Sequence, residues 1–338
     1  MKKSFRFRSG GVRIVALGGG TGLSMVLRGL KRYLARRSDD VVKRPISDLT
    51  AMVTVTDDGG SSGRLRREYK ILPPGDIRNC MVALSKDEAL LGRLFQYRFP
   101  TGSGLGGHSF GNLFLTAMTN VTGDFAEAVR VSAQVLAIRG RIYPSTVKNV
   151  TLEATLENEK VVKGETNISS SRTRIKEVHL VPRRAEPIPE VLQAIKGADL
   201  ILVGPGSLYT SLIPNLLVRG ISDAIARSRA TCVYIANLMT QPGETENYSV
   251  GDHVRAIYAH TKKPIFDSVV INRTPVPGRL VRRYREERAT PVDPSLEELR
   301  GMGLSYVTGD LLWKENGKVR HDQDRLTRLL MDRFVKPR

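Results

Sequence analysis

Residues 12–30, VRIVALGGGTGLSMVLRGL, decide the fold. VRIVAL (12–17) reads as a short buried strand, and a run of glycines with one threonine follows it at once. Leu23, Val26, Leu27, Leu30 and Leu34 then recur at helical spacing and give one apolar face. Strand, glycine turn, helix is the opening unit of an α/β sheet.

The same order returns downstream. DLTAMVTVTDD (48–58) is a second buried-strand candidate ending on Asp57 and Asp58. GDIRNCMVALS (75–85) reads as a helix that Asp76 would cap, and residues 107–136 read as two helices separated near Gly123, with Thr122 or Asp124 as cap. Between about 141 and 182 the pattern changes to β-branched alternation broken by polar residues, as in an antiparallel hairpin. Beyond it, LILVGPGS (200–207), TCVYIANLM (231–239) and FDSVVIN (266–272) are strands that alternate with helices at 190–199, 215–228 and 250–260. The expected fold is α/β and Rossmann-like: a mostly parallel sheet flanked by helices, with a small antiparallel hairpin insertion. Residues 1–11 form a basic leader, and 12–338 one large domain.

Ligands of such sheets sit beyond the carboxyl ends of the strands. Four polar segments follow directly on strands here: GGGTG, DDGGSSG, GPGS and NLMTQPGE. Gly19, Gly20, Thr21 and Gly22 suit a phosphate cradle, because glycine admits positive φ and a close approach to the amides at a helix start. The dinucleotide fingerprint is incomplete, with Leu23 at its third glycine position, and no Gly-Lys-Ser/Thr follows to make a Walker loop. Asp57 and Asp58 would accept from ribose hydroxyls or hold Mg²⁺; the alternative is an Asp-Gly turn with a helix cap. Ser61, Ser62 and Arg64 would complete an anion site. PPGDIRN adds Asp76, Arg78 and Asn79, and GLGGHSFGN adds His108, Ser109 and Asn112. Gly204, Pro205, Gly206 and Ser207 make the second strand-to-glycine turn, followed by Tyr209 and Thr210. Arg320 and His321 precede a last amphipathic helix, for which Asp322 is the cap.

Composition limits the partners. Lys and Arg total 53 against 34 Asp and Glu, a formal charge of +19 that attracts anions. Without a zinc finger, an RNP signature or an aromatic-interleaved basic ribbon, nucleic acid is a minor alternative. Two cysteines, Cys80 and Cys232, are too few for a disulfide framework and read as core residues. No apolar run approaches the roughly 20 residues of a membrane span, and the start lacks a signal-peptide pattern, so the expected location is cytoplasmic. A chain of this size and class is also a candidate homo-oligomer.

Taken together, LGGGTGLS, VTVTDDGGSSGRLR, PPGDIRN, GHSFGN, LVGPGSLYTS, NLMTQPGET and VRHD closely resemble the YvcK or gluconeogenesis factor family, within the wider CofD-like group of 2-phospho-L-lactate transferases. The resemblance implies a cytoplasmic bacterial protein that binds a nucleotide sugar such as UDP-N-acetylglucosamine or UDP-glucose. It implies a regulator of growth, cell shape and peptidoglycan synthesis on gluconeogenic carbon sources, acting through a cell-wall synthesis partner, with no required cofactor. In that arrangement the pyrophosphate lies against residues 19–22, with Asp57 or Asp58 on ribose or metal and Ser207, Asn237 and Arg320 as further contacts. The transferase relatives imply the alternative, an enzyme with Mg²⁺ at Asp57 and Asp58; no nucleophile or general base is evident for it.

Overall fold

The computed structural model describes residues 11–35, 45–86, 90–102, 104–315 and 317–335; apart from Gly11, the basic leader lies outside the described residues. β1 (Val12–Gly18) leads into α1 (Gly20–Leu30), whose Leu23, Val26, Leu27 and Leu30 are at most 1% exposed. Full burial of each such side chain contributes about 1.5–3 kcal/mol. Leu34 does not extend this face. Lys31 is drawn inward, Nζ donating to the Ser85 carbonyl at 2.8 Å, and a 3-10 turn over Lys31–Tyr33 ends the helix. Leu34 then bridges to Ile46.

β2 (Ile46–Val53) pairs in parallel with β1, Gly18 opposite Val53. It stops short of the acids. Residues 54–56 continue buried but outside the ladder, with Thr54 and Thr56 joined through their hydroxyls at 3.0 Å, so Asp57 and Asp58 follow a buried extended stretch and not the strand itself. Helices α2 (Gly60–Tyr69), α3 (Gly75–Leu84), α4 (Leu90–Gln96), α5 (Phe110–Thr122) and α6 (Phe125–Val135) come next. Gly123 ends α5 at φ +72°, and Asp124, not Thr122, caps α6 by accepting from the Glu127 N–H.

β3 (Arg141–Pro144) pairs with β2 in the main sheet, so the antiparallel segment begins later than the sequence pattern suggests. It consists of β4 (Thr151–Leu156), β5 (Val161–Lys163) and β6 (Ile175–Val181), in the order β5-β4-β6. Between β5 and β6, Gly164 at φ +88° starts α7 (Glu165–Ser170), which interrupts the expected hairpin.

The second half runs α8 (Pro189–Gly197), β7 (Leu200–Val203), a π-helical turn at Leu208–Leu212, α9 (Ile213–Leu217), α10 (Ile221–Arg227) and β8 (Thr231–Ile235). The single helix expected over 215–228 is two, because Gly220 at φ +80° breaks it. α11 (Val250–Thr261) opens on a capping box of Ser249 and Asp252 and leads to β9 (Ser268–Asn272). α12 (Gly278–Glu286), α13 (Leu296–Gly301), β10 (Ser305–Gly309), the antiparallel pair β11 (Leu312–Glu315) and β12 (Lys318–His321), and α14 (Gln323–Phe334), capped by Asp322, complete the chain.

Among the described residues the main sheet has seven strands in the order β10-β9-β8-β7-β1-β2-β3, every pair parallel. From β1 the chain builds outward through β2 and β3, then returns to β7 on the other side of β1 and builds outward again. The direction of winding therefore reverses between β1 and β7, and a crevice opens beyond the carboxyl ends of those two strands. β7 and residues 14–18 of β1 are entirely buried, which accounts for their unbroken apolar runs. At the opposite end of the same strand pair, Arg13 N and Nε donate to Asp199 at 2.9 and 3.2 Å. Cys80 and Cys232 are buried and neither forms a disulfide.

Candidate functional site

The two glycine turns meet in this crevice. Leu17 stands opposite Val203, so GGGTG and GPGS leave neighbouring strands side by side. A side chain at Gly22 would place its Cβ 2.1 Å from the Pro205 carbonyl oxygen, and only a glycine allows the turns so close. Gly20 takes φ +59°. Gly19 is the N-cap of α1 and supplies no side-chain acceptor, and the first turn holds no acid. Asn237, just beyond β8, grips the second turn from both sides: its Oδ1 accepts from Gly206 N at 3.2 Å and its Nδ2 donates to Gly206 O at 2.9 Å. Gln241 Nε2 donates to Ser207 Oγ at 2.8 Å. Asn215 is wholly buried, and its Nδ2 donates to Gly18 O at 3.0 Å and Ser211 O at 2.8 Å, tying the end of β1 to the helix after GPGS.

A cavity of about 910 Å³ opens over these turns, within the range of small-molecule sites. Of the residues singled out from sequence, Gly19, Gly20, Thr21, Gly22, Pro205, Gly206, Ser207, Asn237 and Arg320 line it, as do His321 and Asp322. Gly204 lies just behind, at φ +87°, where a Cβ would sit only 3.0 Å from the Ile235 carbonyl oxygen.

The other predicted residues do not line this cavity. Asp58 Oδ1 accepts from Thr166 N at 2.9 Å and Thr166 Oγ1 at 2.7 Å, so this carboxylate anchors the start of α7. Asp57 Oδ1 accepts from Gly59 N at 2.9 Å. Asp76 does not cap α3; Pro74 holds that position, and Asp76 lies in the first turn. Its carboxylate reaches the first glycine turn, accepting from the Gly20 N–H, and Oδ2 leaves only 2.7 Å to a Cβ built at Gly19. Burial, then the neighbouring Asp57 charge, raises the Asp76 pKa to about 6. Glu165, at the start of α7, lines the cavity; burial first, then Asp57, Asp76, Glu244 and Asp58, push it well above the usual carboxylate range. Glu244 rises to about 7 through burial, although Ser169 and Thr210 donate to it.

Behind Asp57 lies a buried polar network. Ser61 Oγ bonds His108 Nδ1 at 3.0 Å and accepts from Asn112 Nδ2 at 3.1 Å. Arg78 donates to Ser109 Oγ at 2.6 Å and Asn79 Oδ1 at 2.7 Å, while Ser109 also caps α5. Arg64 Nη2 donates to Gly106 O at 2.7 Å. Ser61, Ser62, His108, Ser109 and Asn112 are all at most 5% exposed. Burial, with Arg64 nearby, lowers the His108 pKa, which favours the neutral ring. This network holds the loops that carry Asp57 and Asp76.

Sequence reading did not single out several cavity residues: Arg28 on α1, Arg32 on the 3-10 turn that follows it, Glu165, Gln241, Tyr284 and Trp313. Arg28 and Arg32 had a local signal, since they stand about two and three turns beyond the glycine run and four residues apart. The others arrive through tertiary contacts. Among the described residues, no group of three or more His, Cys, Asp or Glu is arranged to hold a metal ion. No helix among them is long and apolar enough to cross a membrane.

Comparison with known proteins agrees with this fold. The profile of the family 2-phospho-L-lactate transferase CofD matches residues 14–312. The gluconeogenesis factor of Bacillus subtilis is 48% identical over 320 residues, covering 95% of this chain and 97% of its own. That of Halalkalibacterium halodurans is 43% identical over 319 residues, covering 94% and 95%. A crystal structure of a Bacillus halodurans protein superposes with a TM-score of 0.89 at 43% identity, over 95% of this chain and 99% of that one. A fold wound about a β1/β7 switch point, paired glycine turns and identity at this level lead to one assignment: this chain belongs to the 2-phospho-L-lactate transferase CofD family, on its gluconeogenesis factor branch.

Proposed function

We propose that the protein is a cytoplasmic nucleotide-sugar-binding regulator, serving growth, cell shape and cell-wall synthesis under gluconeogenic conditions. The link to gluconeogenesis comes from the names of its relatives. The observation that carries the ligand reading is the contact of Gly22 with the Pro205 carbonyl, which makes one floor of two glycine turns under one cavity. The pyrophosphate lies on the N–H groups at the start of α1, with the Thr21 hydroxyl beside it and Arg320 as a further cation. Bound ligand would report cell-wall precursor supply to a protein partner. Calorimetry with UDP-N-acetylglucosamine tests this, wild type against Thr21→Ala. Saturable heat that weakens in the variant supports it, and no heat at millimolar ligand ends it.

The second reading is a Mg²⁺-dependent transferase, favoured by the mutual repulsion of Asp57 and Asp76 beside the Gly20 amide. Those two carboxylates suit a hard divalent cation, whereas Asp58 is taken up by Thr166. A cation there would neutralise phosphate charge. This reading requires product formation that depends on Mg²⁺ and disappears in Asp57→Asn while Asp58→Asn retains it.

A further inference from the structure

The cavity has two chemistries, and only one is explained by phosphate. Beside the glycine turns its wall is apolar: Leu238, Met239, Tyr284 and Val319 line it and belong to a small hydrophobic cluster separate from the main core. Trp313, on β11, also lines the cavity, on the hairpin face opposite Leu312 and Val319, and remains 54% exposed. Among the exposed large apolar side chains of the described residues, no other lines the cavity. Its cross-strand partner on β12 is Arg320, also exposed and also lining the cavity. Directly paired residues of an antiparallel ladder project from the same face, so the hairpin offers an aromatic plane and a guanidinium together. The hairpin is held in place: Tyr284 Oη accepts from Val319 N at 2.9 Å, and Asp322 N donates to Leu311 O at 2.7 Å.

We propose that Trp313 is the stacking platform for the nucleobase of the bound nucleotide, with Arg320 beside it on the anionic side. The proposal rests on the nucleotide-sugar reading above and adds its base subsite. Stacking uses a π-face that every base has, so the platform supplies affinity without choosing the base.

Trp313 is the sole tryptophan of the chain, so its fluorescence reports this hairpin alone. UDP-N-acetylglucosamine and UDP should quench it saturably, with the Kd that calorimetry gives, and N-acetylglucosamine 1-phosphate, which has no base, should not. Trp313→Ala should weaken UDP about tenfold or more, and Trp313→Phe much less. N-acetylglucosamine 1-phosphate should bind all three proteins alike. Calorimetric saturation by UDP with unchanged fluorescence overturns the platform but leaves the nucleotide-sugar reading intact. So does a folded Trp313→Ala that binds UDP as wild type does. Absence of any nucleotide binding by wild type removes both. If Trp313→Ala fails to fold, the quenching of wild type decides alone.

Discussion

Gly22 shapes the floor of the cavity by lacking a side chain, and Asp76, which does not line the cavity, braces the first glycine turn with a buried carboxyl group. A methyl group at Gly22 would meet the Pro205 carbonyl oxygen at 2.1 Å, so Gly22→Ala must push the two turns apart. A loss of about 1–3 kcal/mol is expected, read as a lower thermal midpoint, together with loss of UDP-N-acetylglucosamine heat. For Asp76 the folded pKa of about 6 lies above its ordinary 3.8, so the folded state holds the proton more tightly than the unfolded chain. That contribution is fully present below the unfolded value and is lost as pH rises through about 6. Asp76→Asn keeps an acceptor for the Gly20 N–H and removes the buried charge. It should raise stability at pH 7.5 by on the order of 1–3 kcal/mol, a gain that fades toward pH 4 in chemical denaturation. A variant less stable than wild type at pH 7.5 would mean that a bound cation already compensates Asp76.

At the scale of elements, Asp58 is one of the ties between the antiparallel insertion and the body of the protein, beside Ser169 to Glu244 and Val178 N to His260. Asp58 takes the Thr166 amide and hydroxyl at the start of α7, and α7 brings Glu165 to the cavity. Asp58→Ala should therefore act as loss of a helix cap, costing about 1 kcal/mol. Amide exchange of residues 165–170 should accelerate while that of β1 and β7 stays unchanged. Equal acceleration in both places would show that Asp58 supports the sheet and not the insertion. Asn237 works in the same manner on the second turn, so a side chain expected to touch ligand is engaged by Gly206 on both of its polar atoms.

At the scale of the whole molecule, the charge of +19 is not concentrated in the cavity, which is lined by three arginines and five acids. Much of the excess lies on surfaces such as α12, which has no buried residue and carries Arg279, Arg282, Arg283 and Arg285. UDP-N-acetylglucosamine affinity should thus change less than about threefold between 50 and 300 mM salt, because close contacts inside a cavity are screened little. A nucleic-acid interface would lose orders of magnitude over that range. A steep salt slope for the sugar nucleotide would place its phosphates on the exposed basic surface.

The sheet and its glycine turns were legible in the sequence because their causes are local. Apolar runs such as VRIVAL and LILV need burial on both faces, and the glycine runs that follow them mark where the backbone must turn or approach closely. The edge strand β10 and the split of α9 from α10 were not legible, since a polar strand and a helix broken at one glycine have weak periodicity. For the site, residues 19–22 and 204–207 could be identified from their own composition. The division of labour among the acids could not. Asp57 and Asp58 are adjacent in sequence, yet one faces Asp76 while the other caps a helix more than a hundred residues away. Burial, charge repulsion and the exposure of Trp313 depend on neighbours distant in the chain, and only the tertiary structure brings them together.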